Sequence, residues 1–317
     1  MTAEFIKCHG SGNGFVMVDA VAEPMLATCD LASLSRAACE RERGIGADGL
    51  LVLVRNTEGV FGMRMLNPDG SEAEMCGNGI RCIARLAAER YLHCDNFTLT
   101  SGGGIYPTRH AEDIFPAVPT FGSTIGVRLW SDDFRMQQSE AGDHIDRVIP
   151  ELHPSLRWTA ICVGNPHIVA RVERIDLALL AELGERVTTL KEVFPNGVNV
   201  SLVEVRSRNT IFVATFERGA GITPSCGTAM TSSATAMALL GECDYEQVID
   251  VLNRGGKVQC VCSKSDGLQT TLIGNATYVS AGRLTMEGGA FSYVEEQAFD
   301  AENEAWSRFT ESLDNNL

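Results

Sequence analysis

The amino-acid sequence predicts an α+β protein of two similar, pseudo-twofold-related halves, in each of which strands curl around one central helix. Three observations predict it. Landmarks recur in the same order after about 150 residues, as they do in internal repeats. Runs of β-branched and apolar residues, of strand length, precede a helical segment in each half. Each of those helical segments opens on a Cys-Gly pair, Cys76-Gly77 in one half and Cys226-Gly227 in the other.

In chain order, the first landmark is Gly12-Asn13-Gly14-Phe15-Val16, a turn entering an apolar stretch; its counterpart is Gly164-Asn165-Pro166-His167-Ile168-Val169. The strand-like run Gly49-Leu50-Leu51-Val52-Leu53-Val54 is matched by Asn199-Val200-Ser201-Leu202-Val203-Glu204-Val205. Asn13 precedes Cys76 by 63 residues, and Asn165 precedes Cys226 by 61. Beyond the first Cys-Gly pair, Ile80, Ile83, Ala84, Ala87 and Tyr91 share one helical face at three- and four-residue spacing. Before the second, Asn209 to Phe216 reads as a strand. Beyond it, Thr231 to Leu240 is small and apolar nearly all round, which marks a buried helix. The crossover between halves is expected near residues 125–135, giving domains over 1–130 and 131–273. From Glu287 onward, eight acidic residues stand against one basic residue, Arg308. Residues 291–317 therefore read as a peripheral acidic tail, with a short helix around Glu302 to Leu313.

Composition excludes several classes. A formal charge of −15 argues against nucleic acid or an anionic membrane as the main partner, because phosphate binding needs clustered Lys and Arg. No apolar run approaches the roughly 20 residues of a membrane helix. No basic-then-apolar export signal opens the sequence, so a cytoplasmic location is expected. The eleven cysteines are odd in number and lack paired C-x-x-C units, which disfavours a disulfide framework or a four-cysteine zinc site. No metal and no cofactor are expected, and most of the thiols read as buried small hydrophobes.

Two thiols read differently. A helix N-terminus favours the thiolate and presents backbone N–H groups to a carboxylate. Gly77 and Gly227 remove the side chain that would block approach, and Asn78-Gly79 and Thr228-Ala229 extend the row of N–H groups. Two such helix ends, facing each other across a cleft, could grip one α-carboxylate and leave the α-carbon between Cys76 and Cys226. Inversion needs an acid and a base on opposite faces, which a pseudo-twofold repeat supplies. Either cysteine alone would be read as inert; the pairing reverses that.

At these residues the sequence resembles diaminopimelate epimerase, over roughly residues 5–285. The matching blocks are Lys7-Cys8-His9-Gly10-Ser11-Gly12-Asn13, Gly44-Ile45-Gly46-Ala47-Asp48-Gly49, Asn67-Pro68-Asp69-Gly70-Ser71-Glu72, Cys76-Gly77-Asn78-Gly79-Ile80-Arg81-Cys82, Gly164-Asn165-Pro166-His167, and Glu217-Arg218-Gly219-Ala220-Gly221 leading to Cys226-Gly227-Thr228. The resemblance implies two mostly antiparallel β-barrels, each around a central helix, with a strand near 274–290 returning to the first domain. It implies interconversion of LL- and meso-diaminopimelate, on the lysine and peptidoglycan pathway, without metal or pyridoxal phosphate. It makes Cys76 and Cys226 the acid/base pair, with His167 and Glu217 adjusting thiol protonation. Asn13, Asn67, Gly77, Asn78, Asn165, Asn199, Glu217, Arg218, Gly227 and Thr228 match substrate-binding positions. Arg218 can fork to a carboxylate, and asparagine amides both donate and accept.

Gly14, Ile222 and Ala229 depart from the usual pattern, which bears on the substrate. Pro224-Ser225-Cys226 is also similar to the related proline racemases. Ser280 stands where an aromatic residue often serves a dimer contact, so a homodimer is an open expectation. The nearest rival is a racemase of histidine or another single amino acid, which should lose the clamp of Asn67, Asn199 and Arg218. A non-catalytic amino-acid-binding homologue would tolerate loss of a cysteine. A thiol redox protein would be expected to carry C-x-x-C spacing.

Overall fold

A computed structural model describes residues 1–73 and 75–314; the last three residues of the expected acidic tail lie outside the described residues. Five α-helices occur in it: α1 (Leu31–Cys39), α2 (Gly77–Ala87), α3 (Leu177–Thr189), α4 (Gly227–Leu239) and α5 (Asp300–Asp314). The chain divides into two compact units, one of Met1–Ser123 with Ile273–Leu317 and one of Thr124–Leu272. Residues 124–130, expected to close the first half, cluster with the second.

In the first unit, the strand Thr2–Gly10 pairs antiparallel with Asn13–Asp19 on one side and Thr277–Glu287 on the other. The chain then crosses over through α1, so that Gly49–Arg55 lies parallel to Asn13–Asp19, with Gly49 opposite Phe15. Phe61–Leu66 turns back antiparallel to it, and the short strand Glu72–Ala73 leads to α2. The second unit repeats these steps. Arg157–Cys162 pairs antiparallel with Pro166–Val172, the chain crosses over through α3, and Asn199–Ser207 lies parallel with Asn199 opposite His167. Thr210–Glu217 turns back antiparallel, and Gly221–Thr223 leads to α4.

The continuous apolar run Leu50 to Leu53 follows from this placement, since a strand covered on both faces needs no polar alternation. Leu51 and Leu53 join the core around α2, while Leu50 and Val52 join the core around α1. Strands of each unit pack against its central helix on several sides. As expected, α4 is buried from Gly227 to Ala238. The helix α2 is not amphipathic in place: every residue from Gly77 to Ala87 is buried, Arg81 and Arg85 included. Its expected continuation to Tyr91 runs through a π-helical turn, Ala88–Leu92, that ends at left-handed His93.

The segment expected to be a peripheral tail is a structural part of the first unit. Ala290–Ala298 adds a strand beside Thr277–Glu287. Then α5 docks through Ala305 and Phe309, which are buried with Val118. The Arg85 guanidinium donates two hydrogen bonds to Glu302 on α5, at 2.6 and 2.7 Å, and lies 3.6 Å from the Tyr278 ring centre. The acidic residue that the sequence places in a solvated tail thus neutralises a buried cation of the central helix.

Candidate active site

In the first unit, extended backbone at Cys76 makes it the N-cap of α2, and its Sγ accepts the Gly79 N–H at 3.3 Å. Gly79 is closely packed: a Cβ there would stand 2.8 Å from Leu51 Cδ2, so that buried side chain would have to shift. Asn13, at the start of its strand, sets its Oδ1 4.0 Å from Cys76 Sγ and 3.4 Å from Asn78 Nδ2. The other end of that amide donates to Asp48 Oδ2 at 3.1 Å. Asn13, Cys76, Gly77 and Asn78 are therefore brought together. Asn67 is not joined to them: its Nδ2 donates to Ser71 Oγ at 2.9 Å, within the turn after Phe61–Leu66.

In the second unit, Cys226 caps α4 with the same extended backbone. Its Sγ lies 3.4 Å from Thr228 Oγ1, to which Asn165 Nδ2 donates at 3.3 Å. His167 Nε2 lies 3.0 Å from Asn165 Oδ1 and 3.4 Å from Asn199 Nδ2. Asn199 Oδ1 in turn accepts the Arg218 backbone N–H at 2.8 Å. A row of close contacts thus runs from the thiol through Thr228, Asn165, His167 and Asn199 to Arg218, in which His167 Nε2 bonds one of its two amide neighbours at a time. Glu217 reaches Cys226 from the side and accepts the Thr223 hydroxyl. The Arg218 guanidinium bonds the Asn196 carbonyl at 2.8 Å in an exposed position.

The electrostatics correct one expectation. Burial pushes the Cys76 thiol up to about 11, outweighing the opposing N–H groups of Gly79 and Asn78 and the charge of Arg81. Burial also raises Cys226 well above its ordinary value, reinforced by the Glu217 charge and opposed by the Thr228 hydroxyl and the Ala229 N–H. The helix starts do favour the thiolates, but desolvation wins in both units, so neither thiol is lowered. His167 falls to about 3 through burial and then the charge of Arg218, which makes it a neutral ring near neutral pH. It touches Asn165 rather than Cys226, and its Nδ1 has no partner among the described residues. Among the described residues, no group of three or more His, Cys, Asp and Glu side chains is placed to hold a metal. No helix among them is long and apolar enough to cross a membrane.

Asp48 and Arg81 are the neighbours that residue-by-residue reading missed. Both stand in the quoted motifs without a role. Arg81 is fully buried and bonds Ser11 Oγ, Asn78 Oδ1 and the Gly77 and Asn275 carbonyls.

The fold, two similar units with strands around a central helix, is of the PhzF-like and proline racemase-like kind. The chain is similar in fold to a phenazine biosynthesis protein of the PhzF family from Bacillus anthracis, at TM-score 0.64 and 18% identity, over 90% of this chain and 100% of that one. It is likewise similar to a hydroxyproline epimerase from Agrobacterium vitis, at TM-score 0.57 and 13% identity, over 94% of this chain and 92% of that one. Within that class the sequence is more specific. The family described as diaminopimelate epimerase matches residues 5–114 and 159–279. The diaminopimelate epimerase of Clostridium acetobutylicum is 34% identical over 96% of this chain and 93% of its own. That of Ligilactobacillus salivarius is 38% identical over 87% of this chain and 88% of its own. The chain belongs to the diaminopimelate epimerase family, isomerases that act on amino acids.

Proposed function

We propose that the protein interconverts LL- and meso-diaminopimelate by moving one α-proton between two thiols, Cys76 and Cys226. What carries the reading is the pair of Cys-Gly helix starts. Of the eleven cysteines, seven are buried, Cys94 is exposed, and Cys29, Cys76 and Cys226 are part-exposed; of these, Cys76 and Cys226 each cap the central helix of their unit. The N–H groups at those helix starts are suited to the substrate α-carboxylate, whose negative charge the helix ends favour. One cysteine, as thiolate, takes the α-hydrogen as a proton and becomes a thiol. The electron pair left on the α-carbon delocalises into the carboxylate. The other thiol gives its proton to the opposite face of that carbon and becomes the thiolate. Charge and protons balance, and no cofactor takes part.

Both thiols are held up by burial, so the bound substrate must supply part of the stabilisation that the thiolate lacks in the free protein. Glu217 would keep the Cys226 proton in place until it is needed, and neutral His167 would hold the Asn165 amide. The retention of Asn67, Asn199 and Arg218 favours a substrate with a second amino acid head group over a single amino acid.

The test is incubation of the reduced protein with LL-diaminopimelate in D₂O. Early meso product should carry α-deuterium while recovered substrate carries little. Cys76→Ser and Cys226→Ser should each abolish turnover, whereas EDTA and hydroxylamine leave it unchanged. Near-parental activity in both serine variants would refute the two-thiol assignment. Turnover of histidine in place of diaminopimelate would move the substrate to a single amino acid.

A further inference from the structure

The Asn13 amide stands between two groups of opposite need. On one side is the Asp48 carboxylate, which can only accept; on the other is the Cys76 thiol with the Asn78 amide. We infer that Asp48 is a positioning residue of the Cys76 half-site, which fixes the orientation of Asn13 and so decides which end of that amide Cys76 meets. The inference rests on the two-thiol reading above.

Asp48 is built for this. Its Oδ2 accepts both the Asn13 Nδ2 at 3.1 Å and the Gly14 N–H at 2.9 Å. Its own backbone N–H donates back to the Gly14 carbonyl at 2.7 Å, closing a ring of contacts around the start of the strand. Its Oδ1 is held by Arg41 at 2.6 Å. An ionised carboxylate has no proton to donate, so the nitrogen of Asn13 must face it and the oxygen must face Cys76. Cys76 then meets a donor on one side, the Gly79 N–H, and an acceptor on the other, Asn13 Oδ1. A residue that must be thiolate at one moment and thiol at the next needs both. With the amide reversed, Cys76 would meet only donors, and the thiolate would be favoured at the expense of the thiol that must return a proton.

The other charged and titratable groups acting on Cys76 are Arg81 and Cys82, both on its own helix. From the neighbouring loop come Asp48 itself and, behind it, Arg41, whose side chain is 74% exposed. Nothing in the sequence pattern singles out Asp48 for this task, although it stands in the quoted block Gly44 to Gly49. The second unit is arranged differently: the Asn165 amide turns its nitrogen to Thr228 beside the thiol and its oxygen to His167, and the carboxylate that meets Cys226 is Glu217.

The experiment compares the full-length protein with Asp48→Ala, Asp48→Asn and Arg41→Ala, measuring alkylation of each cysteine by iodoacetamide at pH 8 through peptide mass spectrometry, together with epimerisation of LL-diaminopimelate. In Asp48→Ala, Cys76 should be alkylated about tenfold faster, as for a thiol whose pKa has fallen by about one, while Cys226 changes less than twofold. Its kcat should fall about ten- to a hundredfold, the size of effect expected when proton transfer loses its positioned partner. Asp48→Asn keeps an acceptor oxygen for Asn13 and should stay within about threefold of the parent in both readouts. Arg41→Ala should stay within about twofold, as for an exposed ion pair. An unchanged Cys76 rate in Asp48→Ala, or an equal change at both cysteines, would overturn the positioning role. So would an Asp48→Asn variant that behaves like Asp48→Ala, since charge alone would then be acting. If Asp48→Ala fails to fold, Asp48→Asn and Asn13→Asp decide. Asn13→Asp puts a carboxylate, which can only accept, at the thiol, and its Cys76 should be alkylated more slowly than in the parent; a faster rate would refute the inference. Activity surviving in both Cys76→Ser and Cys226→Ser would instead overturn the underlying two-thiol reading, whatever Asp48 does.

Discussion

Removing the Glu302 carboxylate should release α5 from the first unit. In Glu302→Ala, Arg85 loses two charge-assisted hydrogen bonds at 2.6 and 2.7 Å, and the Tyr278 backbone N–H loses its acceptor at 3.0 Å. The Arg85 side chain is only 8% exposed and that of Glu302 18%, so water replaces little of what is lost. Removing one partner of a buried ion pair typically costs about 3–5 kcal/mol. Arg85 keeps the Glu89 carboxylate at 2.7 Å, the Ala276 carbonyl at 2.8 Å and the Tyr278 ring, which lowers the expectation to about 2–3 kcal/mol. Because the contact joins α5 to the rest of the unit, the loss should appear as local opening rather than only as global unfolding. Hydrogen exchange followed by mass spectrometry should show peptides of residues 300–313 exchanging about 30- to 150-fold faster, with α2 much less affected. The double variant Arg85→Met/Glu302→Leu should recover most of the protection, because an apolar pair leaves no buried charge. Exchange within threefold of the parent in Glu302→Ala would refute the idea that this pair holds the helix.

Gly79→Ala should destabilise the protein by about 1–3 kcal/mol in urea unfolding, since its Cβ meets Leu51 at 2.8 Å; a loss below 0.5 kcal/mol would be the about-neutral outcome that contradicts it. Alkylation of Cys76 in the free protein should rise about tenfold per pH unit from pH 7 to 9 without levelling, because its thiol is pushed up to about 11, and a plateau below pH 8 would contradict that. His9, lowered to about 4 by burial and then by Arg81, and His167, lowered to about 3, both have folded values below the unfolded one. Their neutral forms therefore support folding above about pH 6.5, and that support is lost as pH falls toward 4 and 3. Urea midpoints should accordingly drop between pH 7 and 5, and less steeply in His9→Gln or His167→Gln; equal slopes would remove the histidines as the cause. Asn67→Ala should lower kcat/KM for LL-diaminopimelate about tenfold or more while exchange on a short amino acid changes much less, a selectivity that equal losses would disprove.

What could be read from the sequence was the repeat and its two helix starts, because they are patterns of order and spacing. Asn13 to Cys76 and Asn165 to Cys226 keep their intervals because each unit makes the same sequence of hairpin, crossover and hairpin before its helix. The burial of α4 was legible too, since a helix of small apolar residues has no other stable place. The burial of Arg81 and Arg85 could not be read from the apolar face of α2, because the partners that make it tolerable, Ser11, Asn275 and Glu302, lie up to 217 residues away. The acidic run after Glu287 misled, because charge density near a terminus says nothing of one carboxylate meeting a buried cation. The thiol values could not be read from the helix starts alone, since the depth of burial that outweighs them is set by residues distant in sequence.

The first unit is assembled from two stretches of chain separated by the whole of the second. Its strand Thr2–Gly10 has Thr277–Glu287 as one of its two neighbours, and its central helix relies on Glu302. The second unit, Thr124–Leu272, is continuous. During synthesis the earlier-made unit must therefore wait, with one edge of Thr2–Gly10 unpaired and Arg85 uncompensated, while the later-made unit already has every residue it needs. The unit begun first is thus the one completed last, and until residues 277–302 are made an open strand edge of the kind that invites pairing with other chains remains at Thr2–Gly10.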